Sequence, residues 1–73
     1  MIDYDPVNQS EAEMSERAAR FIKAELKRAG ITYSQLAERL KTYGLIETRN
    51  SIAGKLKRGT FSATFFLATL KAI

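Results

Sequence analysis

The sequence predicts an all-α fold, a compact domain of four short helices that follows a flexible N-terminal leader. Apolar residues recur three and four positions apart along most of the chain, which is the spacing of one helical face. Candidate caps and single glycines divide this pattern into four segments. Alternation of apolar and polar residues never lasts long enough for a sheet. With 73 residues, the chain suits one small domain.

The first helix is predicted to begin at a capping box, Ser10-Glu11-Ala12-Glu13, with Ser15 as an alternative start, and to end at Gly30. We expect residues 1–10 to form a disordered leader, because they contain Pro6 and show no apolar period. Residues 11–73 are then the folded domain. The predicted core face of this helix, with Phe21 beside it, consists of Ala18, Ile22, Leu26 and Ala29.

The second helix is predicted to begin at another capping box, Thr32-Tyr33-Ser34-Gln35, and to end at Gly44. Two apolar residues, Leu45 and Ile46, lie in the short connection that follows. We expect both to pack back into the core and so to fix the position of the next helix. The predicted core face of the second helix consists of Tyr33, Leu36, Ala37 and Leu40.

The third helix, residues 48–58, is predicted to begin with Thr48 as its cap and to end before Gly59. Its apolar stripe is narrow, so we expect one side of the helix to pack on the core and the other to stay exposed. The stripe consists of Ile52, Ala53 and Leu56. The fourth helix is predicted to follow Ser62 as its cap. We expect its apolar residues to be mostly in the core: Phe65, Phe66, Leu67, Leu70 and Ile73.

The composition argues against an enzyme. The chain has no cysteine and no histidine, so disulfides, thiolate metal sites and the commonest general base are absent. Its glycines stand singly rather than in a phosphate-binding loop. We therefore expect no catalytic residues, no cofactor and no metal site. Neither a membrane-spanning stretch nor a signal peptide is found, and we expect a cytoplasmic protein.

Basic residues are concentrated after the first fourteen positions. Residues 1–14 contain four acidic residues and no basic one, whereas residues 15–73 contain twelve basic residues and four acidic ones. A basic body of this size is typical of proteins that bind polyanions. A solvated surface that keeps the protein soluble would carry the same charge, so the charge alone favours neither interpretation.

The functional prediction depends on the second and third helices. Two short helices joined by a turn that contains glycine form a helix-turn-helix when the second of them lies in the major groove. Arginine can pair with guanine and asparagine with adenine, and basic residues at the helix end can bind phosphates. The alternative is that these residues only cap the helix or suit its dipole. The candidate base-contacting residues are Arg49, Asn50, Ser51 and Lys55.

Residues from about Arg20 to Ile73 resemble the lambda-repressor-like helix-turn-helix domains of the Xre and Cro type. The segment ITYSQLAERL, 31–40, resembles the second helix of that family, and residues 51–73 resemble its third helix, glycine stop and fourth helix. A closer likeness is to a small bacterial family of unassigned function. That family shares LKR-x-G-[IV]-TY-x-x-LA-x-x-L and RG-x-FS-x-x-F, which occur here at 26–40 and 58–65.

The resemblance implies a compact four-helix lambda-repressor-like domain that binds double-stranded DNA and regulates transcription in bacteria, with helix 48–58 in the major groove. The chain departs from the family pattern in a longer turn between Leu40 and Ile52. The resemblance implies base contacts from the four candidates named above. It implies phosphate contacts from Thr32, Tyr33, Arg58 and Thr60, to which the end of the third helix adds Lys57.

A helical protein-interaction or dimerisation module is the alternative function. The C-terminal helix is rich in large apolar residues, and exposure of some of them would create a patch for a partner or for a homodimer. RNA binding is a third hypothesis, which is less favoured because the aromatic residues lie on apolar helical faces rather than on a basic platform.

Overall fold

A computed structural model describes the backbone of residues 6–73 and the side chains of residues 10–73. The described residues form α-helices joined by short connections and contain no β-strand, which confirms the all-α prediction. A single turn of 3-10 helix, Lys41–Tyr43, follows the second helix. The four α-helices are α1 (Pro6–Ala29), α2 (Tyr33–Leu40), α3 (Arg49–Arg58) and α4 (Ala63–Ala72).

Helix α1 begins earlier than its capping box predicted. Its first residue is Pro6, and proline suits the first position of a helix because it needs no hydrogen-bonded N–H there. Ser10 therefore lies inside the helix, and residues 6–10 of the predicted leader are helical. Residues 1–5 of that leader lie outside the described residues. The predicted end is correct, since Gly30 follows Ala29 with a φ of 72°.

The buried face of α1 is shifted slightly from the prediction. Ile22 and Leu26 are buried as expected, but Ala19 is buried where Ala18 was predicted. Ala29 is exposed, and Phe21 keeps 48% of its surface exposed. Ala18 and Ala19 are adjacent in the sequence, so the apolar period alone does not determine which of the two faces the core.

Three predicted caps are present with the expected hydrogen bonds. The amide N–H of Gln35 donates to Oγ1 of Thr32 at 3.1 Å, and the amide of Thr32 donates to Oε1 of Gln35 at 2.8 Å. At the start of α3, the amide of Ser51 donates to Oγ1 of Thr48 at 3.0 Å. The amide of Phe65 donates to Oγ of Ser62 at 3.0 Å at the start of α4. These bonds satisfy amides that helix starts leave without partners.

The connection between the 3-10 helix and α3 places only one of its two apolar residues against the core. Gly44 has a φ of 79°, and the amide of Leu45 donates to the carbonyl of Leu40 at 3.1 Å. Leu45 is partly buried against the core, whereas Ile46 is 81% exposed, so the prediction for Ile46 is wrong. Adjacent side chains outside a helix point in different directions, and only Leu45 reaches the core.

Helix α4 buries only part of the apolar set predicted for its core face. Phe65, Ala68 and Thr69 are buried together with Ala72, and these residues have the spacing of one helical stripe. Leu67 and Leu70 fall outside this stripe and are 61% and 36% exposed, so their assignment to the core is wrong. Phe66 and Ile73 pack at its border. The fully buried large side chains are Ile22, Leu36, Leu40, Ile52, Leu56, Phe65 and Thr69.

Thr69 is expected to lower the free energy of unfolding, because its hydroxyl is fully buried and its Oγ1 has no hydrogen-bond partner among the described residues. A buried polar group without a partner costs about 1–3 kcal/mol, and valine has nearly the same shape without the hydroxyl. Thr69→Val should therefore raise the free energy of unfolding measured in urea. Thr64→Val, at an exposed position of the same helix, is the control and should change it little. Equal effects of the two changes would contradict the prediction.

Candidate nucleic-acid interface

Helix α3 is held on one side and open on the other. Ile52 and Leu56 are buried in the core, at 0% and 1% exposure, and the helix packs against α1 and α2. Ala53, predicted as part of the same stripe, is only partly buried. This packing fixes the rotation of α3 about its axis, so that its remaining residues face solvent or the edges of the neighbouring helices.

The first turn of α3 presents two of the predicted base-contacting residues to solvent. Arg49 and Asn50 are both exposed and directly follow the capping residue Thr48. Arg49 forms no salt bridge with another described residue. A guanidinium and an amide that stand side by side at a helix start can both donate hydrogen bonds to a ligand in front of that end.

The other two predicted base-contacting residues, Ser51 and Lys55, are engaged within the domain. Ser51 Oγ lies 2.6 Å from Oε1 of Glu47, and Lys55 Nζ lies 3.0 Å from the same oxygen. Lys55 Nζ also lies 5.6 Å from the centre of the Phe65 ring, within range of a cation–π interaction. The Glu47 side chain is only 11% exposed, so solvent and salt screen the Glu47–Lys55 ion pair less than they would at an open surface. These contacts therefore connect Glu47, in the turn before α3, with Ser51 and Lys55 of α3, and Lys55 in turn with Phe65 of α4.

Glu47 was not predicted from the sequence to be part of this arrangement. The available signal was its position four residues before Ser51 and eight before Lys55, which is one helical face if the helix is extended backwards by two residues. Glu47 precedes the helix cap, however, and the direction of a side chain in a connection is not determined by helical periodicity.

The C-terminal half of α3 carries the predicted phosphate contacts Lys57 and Arg58, and both are exposed. The Arg58 side chain folds back along the helix towards Gly54. Its Nη1 lies only 3.1 Å from the position that a Cβ on Gly54 would occupy. The space above Gly54 is thus occupied by the end of a flexible side chain. A ligand backbone approaching Gly54 would first have to displace this guanidinium.

The remaining predicted phosphate contacts lie at two places. Thr32 is exposed at the start of α2, and its Oγ1 accepts the capping hydrogen bond described above, while Tyr33 is half-buried against the core. Thr60 is exposed after Gly59 and lines one groove together with Lys57 and Arg58. The structure therefore brings three of the five residues together at the end of α3.

A family model described as a domain of unknown function, DUF6471, matches residues 14–73. The chain belongs to the DUF6471 family. The match contains the two sequence stretches, 26–40 and 58–65, that predicted membership of a family of unassigned function. No curated protein and no solved structure matches the chain.

The DUF6471 match begins at Met14 and therefore contains α1 from Met14 onwards together with α2, α3 and α4. Within the part of this domain that the structure describes, no three acidic side chains lie close enough together to hold a metal ion. No helix between residues 6 and 73 is both long and apolar enough to cross a membrane.

Proposed function

We propose that this DUF6471 domain binds double-stranded DNA through the first turn of α3, as a lambda-repressor-like helix-turn-helix that regulates transcription. The observation that carries the proposal is the pair of exposed donors, Arg49 and Asn50, at the start of a helix whose opposite side is buried. A helix docked in this way can enter the major groove with its N-terminal residues towards the base edges.

Each proposed contact follows from the chemistry of its side chain. Arg49 can donate two hydrogen bonds to O6 and N7 of guanine, and Asn50 can pair with N6 and N7 of adenine. Ser51 and Lys55 remain proposed base contacts, but Lys55 must first leave Glu47, which lies 3.0 Å away. The proposed phosphate contacts determine affinity rather than sequence preference: Thr32, Tyr33, Lys57, Arg58 and Thr60.

A second candidate function is a protein-interaction or dimerisation module that uses the C-terminal helix. Leu67 and Leu70 are exposed on α4, and Phe66 lies at the border of the core. Phe21 of α1, which is 48% exposed, has its ring centre 6.4 Å from that of Phe66 and extends the apolar surface. Exposed apolar surface of this kind is typical of contact sites between proteins.

Neutralising Arg49 tests the DNA proposal. We expect Arg49→Gln to weaken binding of a selected duplex by about 1–3 kcal/mol, because a bidentate contact to guanine is lost. The duplex is first selected from a random pool with the unchanged protein, and binding is then measured by fluorescence anisotropy at two salt concentrations. Binding should fall steeply as salt is raised, because phosphate contacts release counterions.

The matched control is Lys71→Gln, which removes the same charge at an exposed position in the last turn of α4. It should weaken binding far less than Arg49→Gln does. Equal weakening by both variants would show a general charge effect, and no binding at low salt would overturn the proposal. Sedimentation of the same protein over a range of concentrations tests the second candidate, since self-association requires a mass that rises with concentration.

A further inference from the structure

A groove of about 750 Å³ lies between α1 and the C-terminal end of α3. Two basic side chains line it from each helix, and the hydroxyl of Thr60 lies beside them. The α1 side also carries Glu11 and Glu16, nearer the start of that helix. The four basic residues are Arg20, Lys23, Lys57 and Arg58.

No salt bridge joins a basic side chain of this groove to a carboxylate of the described residues. The described salt bridges lie elsewhere on the domain, and Arg20 forms none with Glu16 although the two are four residues apart on α1. The lining carries four basic side chains against the carboxylates of Glu11 and Glu16, and this excess of positive charge attracts anions. The described salt bridges are Glu25–Arg28, Glu38–Lys41 and Glu47–Lys55.

The two walls of the groove are held together by backbone packing rather than by the basic side chains themselves. Gly59 is buried and so close to α1 that a Cβ on it would lie 3.1 Å from the carbonyl oxygen of Ser15. Ala19 and Leu56, both buried, form an apolar part of the lining. The close approach at Gly59 fixes the distance between the walls, so Arg20 and Lys23 of α1 lie across one groove from Lys57 and Arg58 of α3. The Arg58 guanidinium lies against Gly54 and must rotate into the groove to bind a ligand there.

We propose that this groove binds a phosphate group, with Arg20 and Lys23 acting from α1 and Lys57 and Arg58 acting from α3. Guanidinium groups bind phosphate through paired hydrogen bonds, and ammonium groups add charge. The phosphate belongs either to a DNA backbone that continues from α3 towards α1 or to a free phosphorylated molecule. The DNA source rests on the function proposed above, whereas the free source is independent of it.

The test uses two probes, sodium pyrophosphate and a mixed-sequence DNA duplex, each titrated into the protein and followed by backbone amide shifts. For pyrophosphate, we expect shifts at residues 20–23 and 57–60. Arg20→Gln combined with Lys23→Gln should weaken binding of at least one probe about tenfold, because charge-assisted hydrogen bonds are lost. The control, Lys27→Gln with Lys71→Gln, removes the same charge from exposed positions that do not line the groove.

The outcomes separate this inference from the proposed function. Pyrophosphate binding that is lost only in the groove variant, with no DNA binding by the unchanged protein, supports a free phosphate ligand and overturns the DNA proposal. DNA binding weakened only in the groove variant supports the DNA source. Equal behaviour of the groove variant and the control with both probes, or no shift in the groove with either, overturns the inference. Unchanged amide shifts outside the groove verify that each variant is folded.

Discussion

Replacing Phe65 with alanine is expected to remove most of the stability of the domain. Phe65 is 1% exposed and is one of the largest fully buried side chains. Deleting a buried phenylalanine ring costs about 3–5 kcal/mol, through lost burial and the cavity that remains. Small domains are often only about 5 kcal/mol more stable than their unfolded chains, so the variant should be largely unfolded. Circular dichroism during urea denaturation measures the loss.

The effect of Phe65→Ala should extend to α3. The Phe65 ring lies beneath Lys55 Nζ and 5.4 Å from the centre of the Phe61 ring, so its loss removes support from the helix proposed to bind DNA. Leu67→Ala is the control, since Leu67 belongs to the same helix but is 61% exposed. Surface substitutions usually change stability by within about 0.5 kcal/mol. If the control were as damaging as Phe65→Ala, α4 would be docked through another face.

Local chemistry explains which parts of the fold could be predicted. A cap depends on a hydroxyl and an amide two or three residues apart, and Thr32, Thr48 and Ser62 were therefore identified correctly from the sequence. The buried face of α4 depends on packing. Apolar residues occur on both sides of that helix, and burial of Thr69 in place of Leu67 follows from the neighbours rather than from the period.

The start of α1 shows that a local capping pattern can occur where no helix begins. The Ser10 pattern fits a cap, yet the same spacing also suits an exposed stretch within a helix, and Pro6 opens the helix instead. A single sequence cannot distinguish the two, because both place serine and glutamate on one exposed face.

In the candidate interface, the exposure of a side chain could be predicted where its position around the helix axis determines it. The buried positions Ile52 and Leu56 place Arg49 and Asn50 towards solvent, as the sequence indicates. The ion pair between Glu47 and Lys55 was not predictable in this way, because it depends on the path of the chain before α3. The groove beside α1 depends on the contact between Gly59 and Ser15, which are 44 residues apart and have no signal in helical periodicity.

Gly59→Ala is expected to be the most damaging of three otherwise similar glycine substitutions. Gly30, Gly44 and Gly59 have nearly the same backbone conformation, with φ values of 72°, 79° and 73°. Alanine in this left-handed region costs about 1–2 kcal/mol at each position. Only at Gly59 does the added Cβ also meet another backbone, 3.1 Å from the Ser15 oxygen and 3.3 Å from its carbonyl carbon. Gly30 and Gly44 have nothing within 4 Å of that position.

Because backbone cannot move aside as a flexible side chain can, Gly59→Ala must either strain the turn or push α1 away from α3. Overpacking of this kind adds about 1–3 kcal/mol to the conformational cost shared with the two controls. Urea denaturation of the three variants measures the difference directly, and an equal loss in all three would show that α1 yields without cost. If α1 does move, the two walls of the groove separate. Pyrophosphate binding should then weaken in Gly59→Ala while it is retained in Gly30→Ala and Gly44→Ala, which links the glycine contact to the proposed phosphate site.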